Sequence, residues 1–268
     1  YALRPNKQQS PLIEQLGPVV TITINSAPWN LMSFEIMDVI EAEVERIADD
    51  DTVRAVVITG AGDQNFSAGM DLKQLVQGVD ARGGQFKVLD QRLRVLAKIE
   101  TMGKPWVATL FGFCLGGGLE LPLACHFRIA AETGAQIGLP ELELGTVPAW
   151  GGSARLSRCV GRDHALDMIL RARKISGPEA KAIGLVSETV PLDRVKSRAL
   201  ELADELAAMP RLAVKAMMDC VIGHETKTLE QSIQDERAAI HATFDSADRL
   251  EGFSAFMEKR KPVFNQSS

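Results

Sequence analysis

Three consecutive glycines constrain this chain more than any other feature of its sequence. Residues 116–118 are all glycine, follow the apolar run 105–111, and lead into Leu119 and Glu120. An extended run, a glycine turn and a helix start let a backbone N–H approach a ligand closely. No Cβ stands in the way, and the amide lies at the positive end of the helix. The turn is therefore predicted to bind an anion or a developing oxyanion.

The residues around this turn disfavour a nucleotide-phosphate site. A Walker loop needs a Lys and a Ser or Thr after its last glycine, and the dinucleotide fingerprint needs Gly-x-Gly-x-x-Gly; residues 112–119 supply neither. A flexible linker is also disfavoured, because apolar residues flank the glycines. Glu120 follows in the first helical turn, where the helix dipole favours its ionised form. The pattern indicates a general base.

Composition limits the classes of partner. With 268 residues, of which 46% are hydrophobic, the chain can bury a large core as one big domain or as a domain with an appendage. The net charge is −5 and the charged residues of both signs alternate, so neither nucleic acid nor a membrane surface is an expected partner.

Cysteine usage and hydropathy predict the compartment. The four cysteines lie far apart without a Cys-x-x-Cys pair, which argues against a disulfide framework and a zinc ribbon and favours a reducing compartment (Cys114, Cys125, Cys159 and Cys220). The longest apolar stretch, 106–124, is interrupted, and residues 1–10 lack a signal-peptide core. We expect no membrane span and a cytoplasmic location. An organelle matrix stays open as an alternative, since the first residue is not Met.

Apolar periodicity predicts an alternation of strands and helices up to about residue 190. Strands are predicted at 18–24, 53–59, 105–111, 127–131, 136–138 and 185–190. Helices are predicted after a Ser33 cap, at 86–100 with Leu89, Leu93 and either Leu96 or Ala97 on one face, at 153–160, at 163–171, and after a Ser176 capping box.

Two further segments have a distinct character. Residues 76–85 carry three glycines and several charges and are predicted to form a mobile loop, the candidate lid. From residue 192 onward the pattern is helical, with breaks at Pro210 and Gly223. The chain is thus predicted to be an α/β protein, with a core at 1–190 and a helical region at 191–268 that caps the core or pairs with another subunit.

Two other stretches carry candidate site residues. Small residues beside Gly69 leave the backbone amide of Met70 able to approach a ligand. Residues 139–152 are dense in turn formers and carry two carboxylates, Glu141 and Glu143.

Five motifs in order resemble enoyl-CoA hydratase of the crotonase superfamily. They are Phe-Ser-Ala-Gly-Met-Asp-Leu-Lys at 66–73, Gly-Gly-Gly-Leu-Glu at 116–120, Pro-Glu-Leu-Glu-Leu-Gly-Thr-Val-Pro at 140–148, Ala-Ile-Gly-Leu-Val at 182–186 and Glu-Lys-Arg-Lys-Pro at 258–262. The resemblance runs from about residue 19 to residue 264. Several motifs in order are far more specific than any one alone.

The resemblance implies a fold and an activity. It implies a crotonase-like spiral of ββα turns, with C-terminal helices that assemble a homo-trimer, commonly paired into a hexamer. It also implies an acyl-CoA thioester substrate, whose carbonyl two backbone amides hold, at positions matched here by Met70 and Gly117. Coenzyme A is part of that substrate, so no separate cofactor or metal is expected. Two glutamates, matched by Glu120 and Glu141, hold and activate one water.

The chemistry explains why these groups are needed. Adding water across a 2-enoyl thioester builds enolate character on the carbonyl oxygen, which preorganised N–H donors stabilise. One carboxylate takes a proton from the attacking water, and a carboxylic acid delivers one to C2. We assign Glu120 to the water and Glu141 to C2. Two carboxyls in one apolar pocket raise each other's proton affinity, so a shared-proton state is expected. Glu143 is expected to be a solvated loop charge.

Further substrate contacts, and departures from the family pattern, follow from the same comparison. The candidate substrate-binding residues are Ala68, Gly69, Asp71, Lys73, Gly116, Ala149, Trp150, Lys259 and Lys261. Ser26 stands where the family often has an Arg or Lys for the coenzyme A phosphates, so Lys73 and, from a neighbouring subunit, Lys259 and Lys261 are the remaining candidates. Trp150 stands where a small residue is common; it either closes the acyl end of the pocket or packs into the core.

Three functions remain open at this stage. The presence of both glutamates favours a hydratase. An enoyl-CoA isomerase of the same fold needs only one carboxylate, and a non-catalytic crotonase-like protein keeps the fold for assembly or acyl-CoA binding. The four histidines lack metal-ligand spacing and Gly-x-Ser-x-Gly is absent, so metal and serine-hydrolase chemistry are disfavoured.

Overall fold

The computed structural model describes residues 10–266. In its first part the chain forms β1 (Leu12–Leu16), β2 (Val19–Ile24), α1 (Phe34–Asp49), β3 (Ala55–Gly60), α2 (Leu72–Gly78), α3 (Gln85–Thr101), β4 (Trp106–Leu110), β5 (Phe113–Leu115) and α4 (Gly117–Leu123). It continues with β6 (Phe127–Ala131), β7 (Gln136–Gly138), α5 (Gly152–Val160), α6 (Arg162–Leu170), α7 (Gly177–Ala182), β8 (Glu188–Val190), α8 (Val195–Ala207), α9 (Arg211–Gly223), α10 (Leu229–Thr243) and α11 (Ala247–Met257).

The strands form two sheets that the chain visits in turn. The larger sheet has the order β1-β2-β3-β4-β6-β8 and is parallel except for the antiparallel pair β1–β2, whereas β5 and β7 form a parallel two-stranded sheet. The chain runs from β4 to β5 into α4, and then from β6 to β7, so each pass adds one strand to each sheet. An isolated bridge between Ser67 and Cys114 brings the preceding pass to the smaller sheet. This repetition is the predicted spiral of ββα turns.

The core lies between the large sheet and the helices that cover it. Every residue of β3 is buried, as its continuous apolar run predicts. In α1 the predicted face is buried, and the Ser33 hydroxyl caps the helix by accepting from the Ile36 N–H at 3.2 Å. On the other side of the sheet, α8 packs its small residues Ala199, Ala203 and Ala207 against β2, β3, β4 and β6. The first helix of the C-terminal region therefore caps the core.

Most predicted elements are confirmed within two or three residues, and the structure departs from the sequence predictions at three places. Strand β1 was not predicted from the sequence. Within the predicted loop at 76–85, α2 extends to Gly78 and a 3-10 turn follows at Asp80–Arg82; the Asp71 carboxylate caps α2 by accepting from Lys73 N–H at 3.0 Å. The role of this segment as a lid stays a prediction.

The buried face of α3 differs from the predicted one. Leu96 of the predicted face is buried as expected, but Leu93 is 41% exposed. Arg92, beside Leu93, is buried together with Val88, Val95 and Ile99. These four positions follow the spacing i, i+4, i+7 and i+11, which is one face of a helix. The sequence analysis missed this face because an arginine interrupts its apolar residues.

Other properties concern the whole described chain. The four cysteines are free thiols, and Cys114 and Cys125 are buried. Among residues 10–266 no helix has both the length and the apolar character that crossing a bilayer requires. The expectation about a signal peptide concerns residues 1–10, which lie outside the described range except for Ser10. The predicted division at residue 190 coincides with the end of β8 and stays a prediction.

Candidate active site

The predicted site residues meet at one cavity of about 220 Å³. The glycine turn, the Met70 segment and the turn-rich segment before α5 form its walls, and α2 and α3 contribute apolar side chains, including Leu75, Val88 and Leu89. Nine of the thirteen predicted positions line this cavity: Ala68, Gly69, Met70, Gly116, Gly117, Glu120, Glu141, Ala149 and Trp150.

Two backbone amides face this cavity without an internal acceptor. Within residues 10–266, neither Met70 N–H nor Gly117 N–H donates to a protein acceptor. Gly117 is the first residue of α4, so its N–H has no partner inside the helix. The two segments are adjacent, because a Cβ built on Gly69 would lie 3.5 Å from the Gly117 nitrogen. The two amides are therefore the candidates to donate to a carbonyl oxygen bound in this cavity.

Glycine is required at the position immediately before each of these two amides. Gly69 has φ +99°, and a Cβ there would come within 2.7 Å of the Leu115 carbonyl oxygen. Gly116 has φ +56°, and its Cβ would lie 3.1 Å from Glu141 Oε1. A side chain at either position would strain the backbone and close the approach that the predicted turn provides.

Glu120 is fixed by a backbone loop that the sequence analysis did not identify. The side chain is 2% exposed. Its Oε1 accepts from Trp150 N–H at 2.7 Å and from Gly152 N–H at 2.8 Å. Gly152 must be glycine, since a Cβ there would lie 2.7 Å from the same oxygen. No described residue donates to Oε2, so that oxygen is the one available to a water or a substrate.

The surroundings of Glu120 decide its protonation. Burial raises its pKa to about 7, the two backbone N–H groups oppose the rise, and the neighbouring Glu141 adds to it. The sequence analysis expected the helix dipole to favour the ionised carboxylate. Burial outweighs that effect here, because α4 has only seven residues and the carboxyl is almost fully withdrawn from water.

Glu141 has a less constrained position. It opens a 3-10 turn, Glu141–Leu144, and remains partly exposed. Its Oε2 is buried and has no hydrogen-bond partner among the described residues. Burial also raises the pKa of Glu141. Glu143, two residues on, is 54% exposed and pairs with Lys174 at 3.0 Å, as expected of a solvated loop charge.

Trp150 combines both expectations for its side chain. It is 4% exposed and belongs to the core, and it also lines the cavity. Its ring lies against Gly117, because a Cβ built on Gly117 would come within 2.6 Å of Cη2 and Cζ3. The indole therefore limits the room beside the amide pair.

Arg155 and Glu100 hold the loop that fixes Glu120. Arg155 Nη1 donates to the Trp150 carbonyl at 3.0 Å, and Arg155 Nη2 lies 2.9 Å from Glu100 Oε2. The Arg155 charge also lowers the pKa of Glu120. The sequence analysis did not identify Arg155 as a site residue. Its position on the first turn of α5, three residues beyond Gly152, is the feature of the sequence that could have indicated this contact.

Four predicted residues do not line this cavity. Asp71 caps α2, and Lys73 is exposed on that helix. Lys259 and Lys261 are exposed beyond α11. Their assignment to coenzyme A stays a prediction. Within residues 10–266 no group of three or more histidine, cysteine or acidic side chains is arranged to hold a metal ion.

Comparison with known proteins gives a consistent result. The chain is 36% identical over 249 residues to a probable enoyl-CoA hydratase of Bacillus subtilis, covering 92% of this chain and 95% of that protein. It is 32% identical to a short-chain-enoyl-CoA hydratase of Clostridium acetobutylicum, covering 93% and 95%.

Solved structures show the same similarity in three dimensions. The enoyl-CoA hydratase from Bacillus anthracis has a TM-score of 0.88 and 32% identity, with 95% of this chain and 98% of that chain covered. Pseudomonas aeruginosa DspI has a TM-score of 0.90 and 30% identity, with 98% of each chain covered. The sequence profile described as enoyl-CoA hydratase/isomerase matches residues 14–267. With the crotonase fold and this site, the chain belongs to the enoyl-CoA hydratase/isomerase family.

Proposed function

We propose that this protein is an enoyl-CoA hydratase, which adds water across the 2,3 double bond of a 2-enoyl-CoA to give a 3-hydroxyacyl-CoA. One observation carries the proposal: Glu120 and Glu141 line the same cavity as the acceptor-free amides of Met70 and Gly117. Hydration needs both a group that takes a proton and a group that gives one, whereas double-bond migration needs only one carboxylate.

The amide pair polarises the substrate. The thioester oxygen accepts from Met70 N–H and Gly117 N–H, and the negative charge that develops as water attacks C3 accumulates on that oxygen. Donors that are already aimed at this position are worth roughly 3 to 4 kcal/mol each in other oxyanion holes. Leu75, Val88 and Leu89 make this part of the cavity apolar, which strengthens the interaction.

The two glutamates move the protons. Glu120, with Oε1 fixed by two N–H donors, takes a proton from water through Oε2 while the water oxygen bonds to C3. The carboxylic acid of Glu141 gives its proton to C2 as the enolate collapses to the thioester. Glu120 then carries a proton and Glu141 a charge, and exchange with solvent restores the starting state. Burial raises the pKa of Glu120 to about 7 and also raises the pKa of Glu141, which supports a state in which the pair holds one proton.

Assembly and location form part of the same proposal. Helices α9 to α11 expose large apolar side chains, which suit burial in a homo-trimer or a hexamer (Val221, Ile240, Phe253, Phe256 and Met257). In such an assembly, Lys259 and Lys261 would reach the coenzyme A of a neighbouring subunit. The four free thiols support a reducing compartment such as the cytoplasm. The proposed reaction uses no cofactor beyond the coenzyme A of the substrate.

A paired absorbance assay tests the proposal. The protein is given crotonyl-CoA or 3-hexenoyl-CoA under identical conditions, and the conjugated enoyl thioester is followed. We expect the absorbance of crotonyl-CoA to fall as 3-hydroxybutyryl-CoA forms. Conversion of 3-hexenoyl-CoA to a conjugated thioester without hydration of crotonyl-CoA would contradict the proposal in favour of an isomerase. Binding of both thioesters without any reaction would contradict it in favour of a non-catalytic protein.

A further inference from the structure

Arg92 is a buried cation that the proposed hydration does not use, and its guanidinium lies over the rings of Phe34 and Trp150. Its side chain is 1% exposed on the inner face of α3. Nη1 donates to the neighbouring Gln91 side chain, but Nε and Nη2 are buried without any hydrogen-bond partner among the described residues. An arginine buried with three unused N–H donors carries a large desolvation cost.

No carboxylate of the described chain neutralises this charge directly. Within residues 10–266, Arg92 forms no ion pair at 4.0 Å or less, and the nearby acids Asp38 and Glu41 are bound by the Gln91 amide at 2.8 and 2.7 Å instead. The Arg82 guanidinium lies 5.2 Å from the centre of the Phe34 ring and forms an ion pair with Asp38 at 2.6 Å. Burial lowers the pKa of Arg92 to about 10, so the guanidinium is still charged at neutral pH.

Arg92 lies close to two residues that line the cavity, Val88 and Trp150. Val88, one turn earlier on the same face of α3, lines the cavity. The Arg92 guanidinium carbon lies 5.7 Å from the centre of the Trp150 ring and 5.6 Å from that of Phe34. The Trp150 ring in turn touches Gly117. Arg92 itself does not line the cavity, and Trp150 is the residue that lies next to both its guanidinium and Gly117.

We propose that Arg92 binds a carboxylate at the far end of the acyl chain, so that the preferred substrates are CoA monothioesters of unsaturated dicarboxylic acids. This inference rests on the proposed function only in taking an acyl-CoA as the ligand. In this proposal the acyl chain of the substrate passes the edge of the Trp150 ring. Its terminal carboxylate accepts hydrogen bonds from Arg92 Nε and Nη2, which present two parallel donors of the kind that carboxylates bind. The ligand supplies the counter-charge that the protein lacks.

Equilibrium binding of unreactive ligands tests this inference. Isothermal titration calorimetry compares saturated dicarboxylyl-CoA thioesters of four to eight carbons with uncharged acyl-CoA thioesters of the same lengths. We expect at least one dicarboxylyl thioester to bind about tenfold or more tightly than its uncharged counterpart, as charge-assisted hydrogen bonds predict. Arg92→Gln should bring that ratio close to one, and Arg92→Lys should keep part of it.

Arg94→Gln is the matched control, since Arg94 lies on the same helix with an exposed side chain paired to Glu41; it should keep the wild-type ratio. Arg92→Leu, which suits the apolar face of α3, replaces Arg92→Gln if the latter does not fold. Equal binding of charged and uncharged thioesters at every length, or a preference that survives the loss of Arg92, would overturn the inference. Because no turnover is measured, the result is independent of whether crotonyl-CoA is hydrated.

Discussion

The two carboxyl groups of the site are held in very different ways. Glu120 lies in the first turn of α4, is almost fully buried, and is clamped by two backbone N–H groups, those of Trp150 and Gly152. Glu141 lies on a short 3-10 turn, keeps partial exposure, and has an unpartnered Oε2. The two N–H groups orient the Glu120 carboxyl and partly oppose the rise in its pKa that burial causes, whereas Glu141 lacks such a clamp. The comparison shows that two glutamates in one cavity can differ in orientation and proton affinity because their burial and their hydrogen-bond partners differ.

The largest effect is expected from removing either carboxyl. Glu120→Gln and Glu141→Gln should each lower kcat for crotonyl-CoA by about 10² to 10⁴, because each removes one general acid or base. The double variant should be little worse than either single one if the pair acts as a unit. Steady-state kinetics and calorimetry with butyryl-CoA separate turnover from binding, which should change little.

Glu143→Gln is the matched control, since Glu143 is exposed and pairs with Lys174; its kinetics should resemble the wild type. Turnover near the wild-type rate in either site variant would refute a mechanism with two carboxyls.

The next largest loss of activity is expected from removing one of the two backbone amides, Met70 N–H and Gly117 N–H, that are proposed to bind the thioester oxygen. Gly117→Pro should lower kcat by about 10² to 10³ because proline has no N–H to donate. Gly117→Ala should also be impaired, for a different reason: its Cβ would meet the Trp150 ring at 2.6 Å.

Combining each change with Trp150→Ala separates the two causes. Kinetics should recover for Gly117→Ala in that background and stay low for Gly117→Pro. Recovery of the proline variant would show that the Gly117 amide is not a donor to the thioester.

Burial of Glu120 should also appear in stability. The folded state raises the pKa of this group from 4.5 to about 7, so it binds the proton more tightly than the unfolded chain does. The resulting stabilisation is complete below pH 4.5 and is lost as the pH rises through 7. Between pH 5 and 8, the free energy of unfolding of the wild type should therefore fall by about 2 to 3 kcal/mol relative to Glu120→Gln.

Urea titrations of both proteins at pH 5 and pH 8 measure this difference. Glu141→Gln provides the comparison, since Glu141 is less buried and should change the pH dependence less. Parallel pH profiles for wild type and Glu120→Gln would contradict a strongly raised pKa.

The Trp150 side chain is expected to limit the length of the acyl chain that the cavity accepts. Trp150→Ala should improve kcat/KM for long 2-enoyl chains relative to crotonyl-CoA, because a methylene's worth of pocket changes discrimination by about 1 to 3 kcal/mol. The clamp uses the backbone of residue 150 and should persist in this variant. Kinetics with 2-enoyl-CoA substrates of four to ten carbons measure the profile. An unchanged profile in a stable protein would restrict Trp150 to a role in the core.

The smallest effect is expected from replacing Arg155, which holds the loop whose N–H groups bind Glu120. Arg155→Met removes a charge that lowers the pKa of Glu120, so the acid limb of the kcat/KM profile, expected near pH 7, should move to higher pH. The loss at pH 6 should be a few-fold, up to about tenfold. Arg162→Met is a matched control, because Arg162 is exposed on the next helix. If the acid limb of the kcat/KM profile does not shift in Arg155→Met, Arg155 has only a structural role and does not affect the pKa of Glu120.

Local sequence signals were sufficient for much of the molecule. The Ser33 cap, the Ser176 capping box and the breaks at Pro210 and Gly223 were predicted because each depends on residues within a few positions. The amides of Met70 and Gly117 were predicted from flanking glycines for the same reason. Strand β1 was missed since its five residues are all partly or fully exposed, and an edge strand with no buried face leaves little periodicity.

The sequence by itself determined the α/β order and the glycine turns, and it predicted both carboxyls that line the cavity, because these follow from local backbone chemistry and ordered motifs. Only the tertiary structure decided that Glu120 is clamped by residues 150 and 152, that its pKa rises to about 7, and that Arg92 faces inward beside Trp150. Burial, the dielectric around a charge and contacts across 30 or more residues depend on the packed chain. No short stretch of sequence encodes them.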